Sequence, residues 1–355
     1  MHNSALIGLP EVVFAVLPEL RGCRYDEELR ADCSHCVLLP EHSGADPTKN
    51  WAFNPATRCC TYKPRLSNYL IGRALWRGGR GAQLLMTRLS NPPGVTRYGI
   101  EPTEEEDEAY QADMLGIFGH DERMVCPFYM GGENSCGIWP DRPGVCRTWF
   151  CRHERGEVGR SHWMMLHRAL WGVEQGLAHF CADIGSPPEP EATSEEWARF
   201  YRWCAGRVDR MTTKEVALFR DDAEFQEARD HLSRYENGPD PIPDRVCASL
   251  RGYEEDNGLI FLCSYTWYDG IRVPRTVFAF LSRLDGTRTW REALEEWNAE
   301  LDEPLPEKLV HELYRIGALR DPEPGDFRGE ESTGVVIQLD PDKSWSEQIP
   351  NFLTR

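Results

Sequence analysis

The stretch CGIWPDRPGVCRTWFC, residues 136–151, gathers three cysteines, two prolines and two tryptophans into sixteen positions. Pro140 and Pro143 restrict the backbone and disfavour a helix, which lowers the entropy cost of holding the neighbouring thiols in place. The aromatic side chains of the stretch are expected to keep water away from those thiols. We therefore predict that residues 136–151 form one wall of a pocket for a metal ion or an iron–sulfur cluster.

Two arginines of the same stretch are predicted to contact the bound cofactor. Arg142 and Arg147 lie close in sequence to Cys146. Groups that surround the ligands of a metal commonly donate hydrogen bonds to them and offset their charge. We expect both guanidinium groups to donate to thiolate sulfur.

The chain has 13 cysteines, an odd number that includes an adjacent pair, and such a set makes a poor disulfide framework. Eight fall in local groups within the first 151 residues and are the predicted metal ligands: Cys33, Cys36, Cys59, Cys60, Cys126, Cys136, Cys146 and Cys151. Five stand alone and are interpreted as small buried hydrophobic residues: Cys23, Cys181, Cys204, Cys247 and Cys263.

The spacing of the eight cysteines predicts how they meet. The sequence CSHC (33–36) has the C-x-x-C spacing with which two sulfurs reach one metal ion. The adjacent Cys59 and Cys60 can serve one cluster, or two neighbouring ones, if they lie in a turn. The cysteines from Cys126 to Cys151 are too widely spaced for a compact knuckle, so their sulfurs must converge by tertiary folding. Two zinc sites, two clusters or one of each would all use eight thiolates.

The overall charge limits the classes of partner. The chain has 355 residues and a formal net charge of −18. A nucleic acid or an anionic membrane surface is therefore not expected as a partner, because both require a basic face on the protein. No apolar run approaches the 18 residues of a membrane-spanning helix, so the sequence predicts a cytoplasmic protein. It leaves the oligomeric state open.

Hydrophobic periodicity predicts a mainly α (α+β) fold with a cysteine-rich domain over residues 1–236. Helices are expected over 62–79, where glycines end the pattern, and over 160–185, which carries a long apolar stripe. Thr193 and Glu196 form a candidate capping box for a helix that runs to about residue 208. A further helix is expected over 212–235.

A linker at 237–244 precedes a second predicted domain over residues 245–320. Two strand-like runs flank Asn257-Gly258, which is a strong signal for a tight hairpin. Three short helices are expected to follow, the second of them after a capping box that begins at Thr289. This combination predicts a winged-helix-like domain, and the acidic tail at 321–355 is expected to be loosely ordered.

The cysteine pattern resembles a known family. CSHC, the Cys59-Cys60 pair, Cys126 and the segment RP-x-x-CR-x-x-FC resemble the CxxCxxCC (YkgJ-type) family of zinc- or iron-chelating proteins over about residues 33–151. The chain departs from the family in having 22 residues between Cys36 and Cys59, where two are usual. The family includes flagellin lysine N-methylases, which are associated with a [4Fe–4S] cluster and S-adenosylmethionine. The resemblance thus implies a cluster-dependent methyltransferase.

The second domain has a weaker resemblance. Residues 282–319 look like the PqqD-type winged helix, which recognises peptides in systems of post-translational modification. Such a domain binds an extended peptide along a strand edge. The resemblance implies a protein or peptide substrate.

Three hypotheses about function therefore remain. The first is an iron–sulfur modifying enzyme that acts on a protein or peptide, with S-adenosylmethionine as a second cofactor. The others are a zinc-stapled structural or binding protein and an electron-transfer protein. No catalytic residue is predicted, and solvent-facing imidazoles are favoured over metal ligands for His35 and His153.

Overall fold

The computed structural model describes residues 6, 8–21, 28, 36, 38–40, 52–91, 93–212, 215, 223–234, 242–249, 251–254, 258–263, 265–266 and 269–322. Helices dominate these ranges and the strands form only small antiparallel sheets, so the mainly helical prediction is confirmed. The two largest hydrophobic cores of the described residues lie at 9–232 and 246–319, and a smaller one lies at 38–124. We refer to the parts that contain them as the amino-terminal unit (up to residue 234) and the carboxy-terminal unit (residues 242–322).

The helices of the described ranges are α1 (Glu11–Val16), α2 (Asn68–Arg77), α3 (Gly79–Leu89), α4 (Glu104–Ala112), α5 (Met114–Ile117), α6 (Gly144–Thr148), α7 (Gly156–Ile184), α8 (Ser194–Asp209), α9 (Ala223–Arg234), α10 (Arg275–Leu281), α11 (Trp290–Asn298) and α12 (Glu307–Arg315). The strands are β1 (Leu66–Ser67), β2 (Val95–Thr96), β3 (Gly99–Ile100), β4 (Tyr129–Met130), β5 (Ser135–Cys136), β6 (Cys247–Ala248), β7 (Arg251–Glu254), β8 (Leu259–Cys263), β9 (Ile271–Pro274) and β10 (Leu319–Arg320).

Helix α7 is the central element of the amino-terminal core. Its apolar stripe is buried at Trp163, Leu166, Leu170, Val173 and Leu177. The stripe has the spacing of one helical face, and that face packs against α8, α9 and α2. The predicted helix over 160–185 is confirmed and begins four residues earlier.

Helices α2 and α8 approach each other closely at a glycine. A Cβ atom built on Gly72 would lie 1.9 Å from the carbonyl oxygen of Tyr201, so only a residue without a side chain fits there. Gly78 ends α2 with a φ of +74°, a left-handed conformation that favours glycine. The predicted helix over 62–79 is confirmed for residues 68–77, so it begins six residues later than predicted, and helix α3 follows directly from Gly79.

The capping box before α8 is also confirmed. The Thr193 hydroxyl accepts from the Glu196 backbone N–H at 3.3 Å, and the Glu196 carboxylate accepts from the Thr193 N–H at 2.8 Å. Of the helix predicted over 212–235, residues 223–234 are helical, and most of 213–222 lies outside the described residues.

In the carboxy-terminal unit, β7, β8 and β9 form an antiparallel sheet in that order. Tyr253 lies opposite Phe261, which confirms the predicted strand pair, although Asn257 lies outside the described residues. Strand β9 was not predicted. The capping box at Thr289 is present, and Gly317 follows α12 with a φ of +74°.

The sheet packs with α10, α11 and α12 around a core that contains Trp290, Phe280 and Leu313. A winged-helix identity for this unit and the domain boundaries stay predictions. The tail from residue 323 onward lies outside the described residues.

Candidate metal centre

Cys59 and Cys60 lie at the end of a turn, the arrangement in which an adjacent pair can serve one cluster or two neighbouring ones. The Asn54 side chain accepts from the Ala56 backbone N–H at 2.9 Å, and the Cys60 N–H donates to the Thr57 carbonyl at 3.1 Å. Arg58 adopts a φ of +52°, which is uncommon for a residue with a side chain. Hydrogen bonding to the Cys60 thiol, together with burial, raises the pKa of Cys59 well above its usual range.

A backbone hydrogen bond joins this turn to the second cysteine segment. The Cys126 N–H donates to the Cys60 carbonyl at 2.8 Å. Strands β4 and β5 then form a short hairpin in which Cys136 lies opposite Tyr129. The hairpin therefore brings Cys136 back towards Cys126, which precedes Tyr129 by three residues.

Cys146 lies on the short helix α6. Pro143 is the residue immediately before this helix, and Pro140 lies in the 3₁₀ turn Trp139–Asp141. The expectation that both prolines disfavour helix in this stretch is wrong. Proline is well tolerated where a helix begins, because the missing N–H has no partner within the helix there.

The buried thiols influence one another electrostatically. Burial raises the pKa of Cys146 well above its usual range, and the neighbouring thiols Cys126, Cys136 and Cys59 raise it further. The pKa of Cys126 rises to about 12, chiefly through burial, with Cys136 adding to the effect. Thiols from three separate segments therefore lie near enough to influence one another, and their role as metal ligands stays a prediction.

Cys36 and Cys151 lie at the edge of the same cluster. Burial and the Cys59 thiol raise the pKa of Cys36. Cys36, Cys59 and Cys151 all pack against a small apolar core that includes Phe53 and Phe118. We define the cysteine site as the seven described cysteines of the predicted set: Cys36, Cys59, Cys60, Cys126, Cys136, Cys146 and Cys151. Cys33, the eighth predicted ligand, lies outside the described residues.

The two arginines of the stretch are buried, but their hydrogen bonds differ from the prediction. Arg147 donates from Nε to the Arg142 carbonyl and from Nη2 to the Pro140 carbonyl, each at 2.6 Å. The Arg142 guanidinium lies over the Trp139 ring, 3.6 Å from the ring centroid. The prediction that both arginines donate to sulfur is wrong for Nε and Nη2 of Arg147, because these two groups donate to carbonyl oxygens within the stretch.

The arginines nevertheless act on the thiols through charge. Burial raises the pKa of Cys136, and the positive charges of Arg142 and Arg147 oppose that rise. A guanidinium group near a thiolate offsets its negative charge. Carbonyl oxygens of the stretch therefore bind Arg147, while the positive charges of both arginines act on the thiols of the cysteine site.

Two buried carboxylates support this wall and were missed by sequence reasoning. Asp141 is fully buried and accepts from Arg77 at 2.8 and 3.0 Å. Glu174, on α7, accepts from the Gly144 N–H at 2.8 Å and so holds the first residue of α6. Neither contact has a local sequence signal, since the partners lie 64 and 30 residues apart.

His153 is buried, which corrects the expectation of a solvent-facing imidazole. Its ring lies between Phe150, at 6.4 Å, and Tyr265, at 5.7 Å between ring centroids. Burial lowers the pKa of His153 to about 4, so the ring is neutral near pH 7. His35 lies outside the described residues.

The donor set suits a soft metal ion or an iron–sulfur cluster. Thiolate sulfur is the preferred ligand of zinc and of iron–sulfur clusters. Within the described ranges, no three His, Cys, Asp or Glu side chains are already arranged to hold a metal ion. Binding would therefore draw neighbouring thiols together and displace their protons, as is usual for thiol ligands.

Comparison of the chain with family models, with curated proteins and with solved structures gives no significant match. The family resemblance of the cysteine pattern therefore stays a prediction. None of the helices in the described part of the chain is both long enough and apolar enough to cross a membrane.

Proposed function

We propose that this protein binds an iron–sulfur cluster, or zinc in its place, through the thiolates of the cysteine site. The observation that carries the proposal is a set of half-buried thiols from three chain segments that influence one another's pKa values. Cysteines that only fill an apolar core need no specific link between their chain segments. Here a backbone hydrogen bond from Cys126 to Cys60 joins two of the segments directly.

Burial without a cation is unfavourable for thiolates. The pKa values of Cys59, Cys126 and Cys146 are all raised, by hydrogen bonding or burial and by neighbouring thiols of the site. A bound cation would replace the protons on these sulfurs and stabilise the thiolate form. The positive charges of Arg142 and Arg147 supply part of the same stabilisation.

The activity that we propose for this centre is cluster-dependent modification of a protein or peptide, with S-adenosylmethionine as a methyl donor. It is supported by the resemblance of the cysteine pattern to the CxxCxxCC family. A zinc staple without catalysis and an electron-transfer centre use the same ligands and are the alternatives.

Oxygen-free purification of the full chain tests the binding proposal. We expect stoichiometric iron and a broad visible absorption from sulfur-to-iron charge transfer, or stoichiometric zinc in a colourless protein. C146A should lose metal, while C204A, which removes a buried thiol from the main core, should keep it. Wild-type protein without iron or zinc would contradict the proposal.

Calorimetry with S-adenosylmethionine separates the proposed activity from its alternatives. The enzyme is expected to bind S-adenosylmethionine only when the metal centre is loaded. Absence of binding heat in the loaded protein would leave the zinc staple or the electron-transfer centre.

A further inference from the structure

The segment that follows Cys151 is held by the carboxy-terminal unit. Arg315, the last residue of α12, donates from Nη1 to the His153 carbonyl at 2.9 Å. Arg160, on α7, donates in the other direction to the Tyr265 carbonyl at 2.6 Å. Two residues of chain span at most about 7 Å, so fixing His153 also restricts where Cys151 lies.

A buried carboxylate organises this contact. Asp269 is 2% exposed and accepts from Arg315 at 2.9 and 3.3 Å. The Tyr265 hydroxyl also donates to Asp269, and Arg152 approaches it at 3.9 Å. Because Arg152 directly follows Cys151, the carboxylate attracts the same segment that Arg315 binds at His153.

The backbone approach at this place requires a glycine. Gly156 has a φ of +56°, and a Cβ atom there would lie 1.3 Å from the carbonyl oxygen of Arg315. Any side chain would therefore separate α12 from the start of α7. The backbones of the two segments are therefore in direct contact, in addition to the charged hydrogen bonds.

We propose that Arg315 and Asp269 form a clamp by which the carboxy-terminal unit positions Cys151 at the cysteine site and so raises the affinity of that site for metal. This inference rests on the proposed metal centre. Arg315 touches no thiol and is a positioning residue. Coupling of two sites is reciprocal, so metal bound at the cysteine site in turn stabilises the docked position of α12.

The test compares metal affinity in R315M and in the control R288M, both in the full-length chain. Arg288 pairs with Glu296 on the surface of the same unit and makes no contact with the 151–160 segment. Affinity is measured by competition with a chromophoric chelator. We expect R315M to lose roughly 10- to 100-fold, the range for residues that orient metal ligands, and R288M to match wild type.

A spectroscopic measurement separates positioning from loss of fold. In R315M loaded with Co²⁺ as the probe metal we expect wild-type far-ultraviolet circular dichroism but a changed sulfur-to-cobalt charge-transfer spectrum, because the ligand geometry has moved. If R315M does not fold, D269N tests the clamp instead, since Asn keeps the volume of the Asp269 side chain and removes its charge. The same loss of affinity is expected there.

The outcomes distinguish the two proposals. Wild-type affinity and an unchanged spectrum in R315M, or in D269N where R315M is unfolded, would overturn the clamp and leave the metal centre standing. Wild-type protein that takes up neither iron nor zinc would overturn the proposed function, and the clamp with it.

Discussion

Asp141 shows how the wall of the cysteine site is held at the level of a single residue. Its carboxylate is fully buried and is balanced by Arg77, at 2.8 and 3.0 Å, and by Arg73, at 3.6 Å. Removing the charge from a buried pair leaves its partners uncompensated. The position of Asp141 between Cys136 and Cys146 makes this ion pair part of the support of both thiols.

We expect D141N to lower the free energy of unfolding by about 2–3 kcal/mol, slightly below the range for fully buried pairs because the Arg77 side chain is half-exposed. D121N is the matched control, since Asp121 pairs with the exposed Arg123. It should cost less than about 1 kcal/mol. Urea unfolding measures both, and equal losses would contradict the structural role of Asp141.

Glu174 predicts a pH dependence of stability. Burial raises its pKa from 4.5 to about 7, so the folded protein keeps a proton that the unfolded chain releases. Its stabilising contribution is therefore complete below pH 4.5 and is lost as the pH rises towards 7. Over that range wild type should lose up to about 3 kcal/mol relative to E174Q.

Urea unfolding at a series of pH values measures this difference. E157Q, on the exposed side of the same helix, controls for the loss of one carboxylate. A difference between wild type and E174Q that stays constant from pH 4.5 to 7 would mean that Glu174 is not a buried neutral acid.

At the level of elements, the contact between α2 and α8 depends on Gly72. Its missing side chain lets the Tyr201 carbonyl approach, and Ala would place a Cβ atom 1.9 Å from that oxygen. G72A should therefore cost about 3 kcal/mol or prevent folding, as overpacking does when the obstacle is backbone. Thermal unfolding measures the loss.

Gly172 is the matched control for this prediction. On α7, its nearest neighbour would be the Phe225 ring at 3.5 Å, an ordinary contact. G172A should be neutral or should stabilise by up to about 1 kcal/mol, because Ala is the better helix former. Similar effects of the two substitutions would show that α2 and α8 are not in close contact.

The elements that sequence reasoning predicted are those with local signals. The stripe of α7, the capping boxes at Thr193 and Thr289 and the glycine stop at Gly78 each lie within a few residues of the element they define. The missed elements include strand β9 and the helices α1, α3, α4, α5 and α6. Strand β9 is short and depends on pairing with β8 for its conformation.

At the level of the whole molecule, the residues that support the cysteine site could not be predicted from cysteine spacing. Asp141, Glu174 and Arg315 act on residues 30 to 162 positions away in the chain. Such partners leave no periodicity or motif in a single sequence. The buried position of His153 has the same cause, since Tyr265 covers it from the other unit.

The two separate cores predict that metal removal acts unequally. A ligand bound only by the folded state stabilises it, by about 4 kcal/mol at 1,000 times its dissociation constant. Chelation should therefore speed hydrogen exchange in α6 and in the first turns of α7, while α11, in the other core, changes little. Equal acceleration in all three helices, or in none, would contradict the account.

X-ray absorption spectroscopy of the loaded, oxygen-free protein tests the central claim most directly. A metal held by the cysteine site should show a shell of sulfur neighbours at about 2.3 Å. The sulfur shell should weaken in C146A and persist in C204A. A shell made only of oxygen or nitrogen at about 2.0–2.1 Å would show that the metal lies elsewhere and would contradict the account.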